Sequence, residues 1–113
     1  MAVTIYHNPR CSTSRKTLTL LKENGVEPKV VAYLDDPLDV DGLKELLKKL
    51  KITAHELLRK KEAAPLGLDT DGMSETQLIA AMAKHPILIQ RPVVVNGAKA
   101  VIARPPETAL EIL

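Results

Sequence analysis

Tyr6-His7-Asn8-Pro9-Arg10-Cys11-Ser12-Thr13-Ser14-Arg15 contains the chain's only cysteine and joins two segments of different periodicity. Before it, Val3-Thr4-Ile5-Tyr6 is alternating and β-branched, the pattern of a short strand. After it, Leu18, Leu20, Leu21 and Val26 sit among Lys and Glu, as on an amphipathic helix. Asn8-Pro9 marks a loop between the two, and Ser12, Thr13 or Ser14 is suited to cap the helix. The sulfur is therefore expected in the turn that feeds a helix N-terminus. Free backbone N–H groups and the positive end of the helix dipole face it there.

That placement bears on reactivity, because the thiolate and not the thiol is the nucleophile. A free cysteine with a pKa of about 8.5 is almost wholly protonated at neutral pH. A helix N-terminus and a nearby cation lower that value by roughly one to several units, and His7, Arg10 and Arg15 are the local cations. The same N–H groups suit a tetrahedral oxyanion. A lone cysteine is more often a small buried apolar residue, but this one is flanked by Arg, Ser and Thr, which favours a reactive thiol.

The 113 residues suit a single domain, residues 1–113, with a real core. With no Phe and no Trp, that core must be aliphatic. A net charge of +2 spread over the chain gives no electrostatic case for nucleic acid, and two tyrosines are too few for a base-stacking platform. A single cysteine excludes an internal disulfide and fits a reducing compartment. No basic region precedes an apolar run at the N-terminus, and no stretch is long enough to span a bilayer, so the expected location is cytoplasmic, with no membrane partner. His7, His55 and His85 are scattered without ligand spacing, and no metal site is expected.

Further along, Gly25 and Pro28 stop the first helix, and Lys29 to Tyr33 reads as a second strand. Asp35-Asp36-Pro37 is a turn. Leu43, Leu46, Leu47 and Leu50 then form a helical stripe at i, i+3, i+4 and i+7. Thr53 can cap a short helix carrying Leu57 and Leu58, residues 63–72 read as loop, and Ser74-Glu75-Thr76-Gln77 resembles a capping box for a helix to about Lys84. Asn96-Gly97 signals a hairpin between Val93-Val94-Val95 and Lys99 to Ala103, and Pro105-Pro106 opens a last helix from Glu107 to Leu113. Strand–helix–strand at one end and a hairpin with a helix at the other describe an α/β fold, a thioredoxin-like mixed β-sheet. Between its halves lies a helical insertion, about residues 38–85.

The segments HNPRCSTSR (7–15), ELLRKKE (56–62), HPILIQRPVVV (85–95) and RPPETALEIL (104–113) together resemble the ArsC family, the glutaredoxin-coupled arsenate reductases. Arg10 and the ending LEIL look most like its short reductase-like branch. The resemblance implies that Cys11 is the catalytic cysteine and that His7 and Ser14 stabilise its thiolate. It further implies that Arg59, Arg91 and Arg104 bind the oxyanion. Arginine suits that role through its planar, permanently charged fork. Taken without the family, Arg59 beside Lys60 and Lys61 could be plain surface, whereas Arg91 and Arg104 each precede a proline that fixes extended or turn backbone. In thioredoxin-like folds a cis-proline precedes the hairpin strand beside the cysteine, and Pro92 occupies that place.

The resemblance also implies the chemistry: reduction of arsenate to arsenite, with glutathione as co-substrate, glutaredoxin as partner and no bound cofactor. External thiols follow from counting too, since one cysteine leaves no resolving thiol in the chain. Two other readings stay open. One is a glutathione-linked thiol reductase acting on a different substrate. The other is an Spx-like regulatory binding protein, against which Ser14 counts, because Spx-type switches carry Cys-x-x-Cys.

Overall fold

A computed structural model describes residues 3–113, and the chain divides into two compact units. The first consists of the chain up to Asp36 together with Arg91–Leu113, and the second is Pro37–Gln90.

The first unit is built on a four-stranded sheet of order β2-β1-β3-β4. Strand β1 (Val3–Tyr6) pairs in parallel with β2 (Lys29–Val31) and antiparallel with β3 (Val93–Asn96), which pairs antiparallel with β4 (Lys99–Ile102). The parallel pair needs a crossover, and helix α1 (Ser12–Glu23) provides it. Val3, Ile5, Leu21, Val94, Ala103, Ala109 and Ile112 form its buried aliphatic core, with Leu18, Val26 and Val101 packed against it. The α/β, thioredoxin-like mixed sheet expected from the sequence is the fold observed.

Several local expectations shift. Strand β2 ends at Val31, and Tyr33 lies beyond it in a turn closed by N–H groups of Asp35 and Asp36 donating to Ala32 O. Helix α1 is not capped by a hydroxyl: it starts at Ser12, so Ser12, Thr13 and Ser14 lie inside it and Cys11 is the N-cap, without a side-chain cap bond; Ser14 Oγ is bonded to Asn8 and His7 instead. In the hairpin, Asn96 pairs with Lys99, so the turn is centred on Gly97-Ala98 rather than Asn96-Gly97. Gly97 carries the positive φ of 61° that the turn requires, and Asn96 Nδ2 instead donates to Ile112 O at 2.6 Å. The last segment, Pro106–Ile112, winds as a 3₁₀ helix. Both Arg91–Pro92, as expected, and Arg104–Pro105 are cis peptides.

The second unit is helical. Helix α2 (Val40–Leu50) starts on Asp39, whose carboxylate accepts from Gly42 N, and buries Leu43 and Leu46. Helix α3 (Ala54–Leu57) begins in a Thr53–Glu56 capping box, and α4 (Lys60–Ala63) follows at once. Short 3₁₀ turns at Ala64–Leu66 and Thr70–Gly72 occupy most of the expected loop. Helix α5 (Glu75–Lys84) begins in the Ser74–Gln77 capping box and buries Leu78, Ile79 and Met82. Among the described residues, no helix is long and apolar enough to cross a membrane.

Candidate active site

Strand register gathers the chemistry of the first unit at one end of its sheet. His7 N donates to Val31 O at 2.9 Å, extending the β1–β2 ladder by one residue. The loop to Cys11 therefore leaves β1 where the chain leaves β2 toward Tyr33. On the other flank Tyr6 opposes Val93 and Val93 opposes Ile102. That brings Arg91-Pro92 and Ala103-Arg104 to the same edge, and Ala103 N donates to Pro92 O at 2.9 Å. Cys11, Tyr33, Arg91 and Arg104 thus come from four separate segments that leave or enter the sheet at this end.

Cys11 is a half-buried free thiol at the N-cap of α1. Its backbone is extended (φ −93°, ψ 121°), its N–H donates to Asn8 O, and its carbonyl accepts the first helical bond from Arg15 N. Burial pushes the thiol pKa up, but the Ser14 N–H, the Arg91 side chain, the Thr13 N–H and the charge of Arg91 together hold it below the ordinary value. The unpaired amides of the first helical turn stabilise the sulfur anion as the sequence led us to expect. Arg91 is the cation that acts on it, rather than the sequence neighbours.

Burial, followed by the charge of Arg15, holds the His7 pKa below the ordinary 6.5. Its Nδ1 is hydrogen-bonded to Ser14 Oγ at 2.6 Å, and the same oxygen accepts from Asn8 N at 3.0 Å. Ser14 is fully buried, and Asn8 Oδ1 accepts from Arg10 N. These bonds, with Arg15 Nη1 donating to Pro9 O at 2.7 Å, brace the loop that presents Cys11. His7 and the Ser14 hydroxyl hold that loop in shape, while Ser14 reaches the sulfur through its backbone amide.

Arg91 is half-buried, and its Nε and Nη1 atoms are buried without a hydrogen-bond partner. Arg104 is exposed and reaches back, Nη1 donating to Arg91 O at 3.0 Å. Arg59 belongs to the second unit, at the N-cap of α4. Its N–H donates to Leu88 O, its Nη1 lies 3.9 Å from Glu62, and that nitrogen too is buried without a hydrogen-bond partner. The structure thus brings Cys11, His7, Ser14, Arg91 and Arg104 together in one unit and carries Arg59 in the other. Tyr33, which the sequence presents only as a strand residue, is 2 % exposed and has Arg91 and Asn8 as polar neighbours. Nothing local in the sequence marks it, because its place depends on the β1–β2 register. Among the described residues, no group of three or more His, Cys, Asp or Glu could hold a metal ion.

A lowered thiol pKa predicts the pH dependence directly. The thiolate, and with it reactivity toward iodoacetamide, persists to a pH below the ordinary thiol range and is lost as pH falls through the lowered value. An alkylation-rate profile should therefore inflect below about 8.5 in the wild type and move upward in Arg91→Ala. An inflection at or above the free value would contradict the arrangement of N–H groups and guanidinium just described.

A mixed sheet of this order, with a cysteine at the N-terminus of the first helix and Arg91 and Arg104 at the same end of the sheet, defines a thioredoxin-like protein built around one thiol. The ArsC family model matches residues 6–112, and the chain belongs to the ArsC family. It is 55 % identical to YfgD, an uncharacterized protein of Escherichia coli K12, over 98 % of this chain and 96 % of that one. It is 46 % identical to the arsenate reductase of Haemophilus influenzae over the full length of both. The solved arsenate reductase of Vibrio cholerae superposes with a TM-score of 0.89 at 44 % identity, covering 100 % of this chain and 98 % of that one. The chain is accordingly an enzyme of this family.

Proposed function

We propose that the protein reduces arsenate to arsenite, with Cys11 as nucleophile and external thiols as the source of electrons. The observation that carries this reading is the placement of Cys11 at the N-cap of α1 beside Arg91, a guanidinium that keeps two buried donors free. Curated relatives named arsenate reductases, at 43–46 % identity, support the choice of anion.

In this scheme the thiolate attacks As(V) and one arsenate oxygen leaves as water, giving a Cys11–S–As(V) adduct that retains three oxygens. Arg91 and Arg104 neutralise the anion and the charge that develops on its oxygens. Glutathione thiol then attacks the Cys11 sulfur. The S–As bond breaks with its electron pair staying on arsenic, which leaves as arsenite, and a Cys11–glutathione disulfide remains. Two thiol sulfurs are oxidised by one electron each, which matches the two-electron reduction of As(V) to As(III). Glutaredoxin thiolate takes the glutathione and returns Cys11 to the thiolate.

No second cysteine exists in the chain to perform that last step. A cytoplasmic setting, where glutathione is abundant and thiols stay reduced, belongs to the same proposal. Purified protein should form arsenite from arsenate when both glutathione and glutaredoxin are supplied. Absence of arsenite under those conditions, with Cys11 still free and alkylatable, would overturn the reading.

A further inference from the structure

Tyr33 lies where the chain leaves β2, at the end of the sheet that carries Cys11 and Arg91. Its ring is 2 % exposed, and its Oη is buried without a partner at hydrogen-bonding geometry. A phenol that merely filled space would be better replaced by phenylalanine, since a buried hydroxyl without a partner is costly. The atoms around it are informative. Its neighbours are the Arg91 guanidinium and the Asn8 amide, with Cys11 near enough for its negative charge to be felt. Two of the Arg91 nitrogens are orphaned in the same way. Asn8 Oδ1 accepts from Arg10 N, so it is the amide nitrogen of Asn8 that faces the phenol as a donor. Three buried donors from two separate segments, Tyr33 Oη, Arg91 Nε and Arg91 Nη1, therefore lack protein acceptors beside one nucleophilic sulfur.

We propose that Tyr33 is a substrate-binding residue of the anion site, its hydroxyl donating a hydrogen bond to an oxygen of the tetrahedral anion seated between Cys11 and Arg91. Burial, the largest influence, raises the phenol above its ordinary pKa of 10, and the nearby Cys11 charge adds to it against the opposing pull of Arg91 and Asn8. The group is a neutral donor throughout the working pH range. That neutrality gives it a role the arginines cannot fill. A guanidinium brings charge together with its fork, whereas a buried hydroxyl adds a neutral, directional hydrogen bond to one oxygen. Tyr33 contributes alignment of the anion with the sulfur without changing the net charge of the site. Arg10 is exposed and engaged through its backbone N–H, and His7 is paired with Ser14, so neither takes the place of Tyr33.

The inference rests on the anion site proposed above, and its test separates the two. Cys11 alkylation by iodoacetamide is measured against increasing arsenate, without added thiol, in wild type and Tyr33→Phe. The same preparations are alkylated across pH, and thermal unfolding confirms that both are folded. The half-protecting arsenate concentration should rise about ten- to a hundred-fold in Tyr33→Phe, the range for a hydrogen bond to a charged group, while the Cys11 inflection stays in place. Equal protection in both proteins would overturn the role of Tyr33 and leave the anion site standing. A Tyr33→Phe inflection shifted upward with Arg91→Ala would also overturn it, because Tyr33 would then only hold Arg91 against the sulfur. A wild type unprotected at any arsenate concentration would remove the anion site itself, and the Tyr33 assignment with it.

Discussion

Cys11→Ser is expected to reduce arsenite formation by at least roughly a thousand-fold, to the background of the uncatalysed reaction with glutathione. A serine hydroxyl is not ionised at neutral pH, so the amides of Ser14 and Thr13 and the Arg91 side chain have no anion to stabilise. Nor can an oxygen at this position form the disulfide that carries the two electrons away. The loss should come without unfolding. Cys11 is half-buried at the N-cap of α1 and makes no side-chain cap bond, and serine is among the favoured N-cap residues. The variant should therefore be as stable as the wild type, or slightly more so, in urea unfolding. Arsenite production in Cys11→Ser within a few fold of wild type would mean that the chemistry runs elsewhere.

Arg91→Lys should cost about a hundred-fold in kcat/KM for arsenate, the scale for removal of one preorganised donor to developing oxyanion charge. Lysine keeps the positive charge, so charge alone predicts a mild effect. It cannot keep the geometry: the Arg91 side chain serves the Cys11 sulfur while its Nε and Nη1 remain available, and a single ammonium on a flexible stem cannot hold sulfur and anion together. Arg104→Lys should be the milder change. Its guanidinium is exposed and already spends Nη1 on Arg91 O, so its loss is screened by solvent. Steady-state arsenite formation at saturating glutathione and glutaredoxin distinguishes the two, and equal kinetics for Arg91→Lys and wild type would show that the fork is not used.

Much of this site can be seen in the sequence because its parts are local. A β-branched alternation, Asn8-Pro9 and an amphipathic run place Cys11 between a strand and a helix, which is where it lies. Arg91 and Arg104 are marked by the prolines that follow them, and register then brings both to the sheet edge. The capping box at Ser74 is likewise a matter of four consecutive residues.

What the sequence misplaces depends on competition between distant partners. Ser14 is a sound capping residue by type, but the helix already starts at Ser12, and the Ser14 oxygen is bonded to Asn8 and His7, six and seven residues away. His7 is a local cation by type, but burial and then Arg15 lower its pKa, and neither is visible in the local sequence. Asn96-Gly97 has the hairpin signal, yet pairing of Asn96 with Lys99 and its bond to Ile112 O move the turn one residue on. Tyr33 is the furthest from legible. Its meaning comes from the parallel pairing of β1 with β2, which no window of sequence contains.

The most direct test of the account is intact-mass spectrometry of the wild type after arsenate and glutathione, with glutaredoxin withheld. A single glutathione adduct on Cys11 should accumulate with one equivalent of arsenite, disappear when glutaredoxin is added, and never form in Cys11→Ser. Continued arsenite production with no external thiol present would contradict it, since a chain with one cysteine has no other thiol to give up electrons.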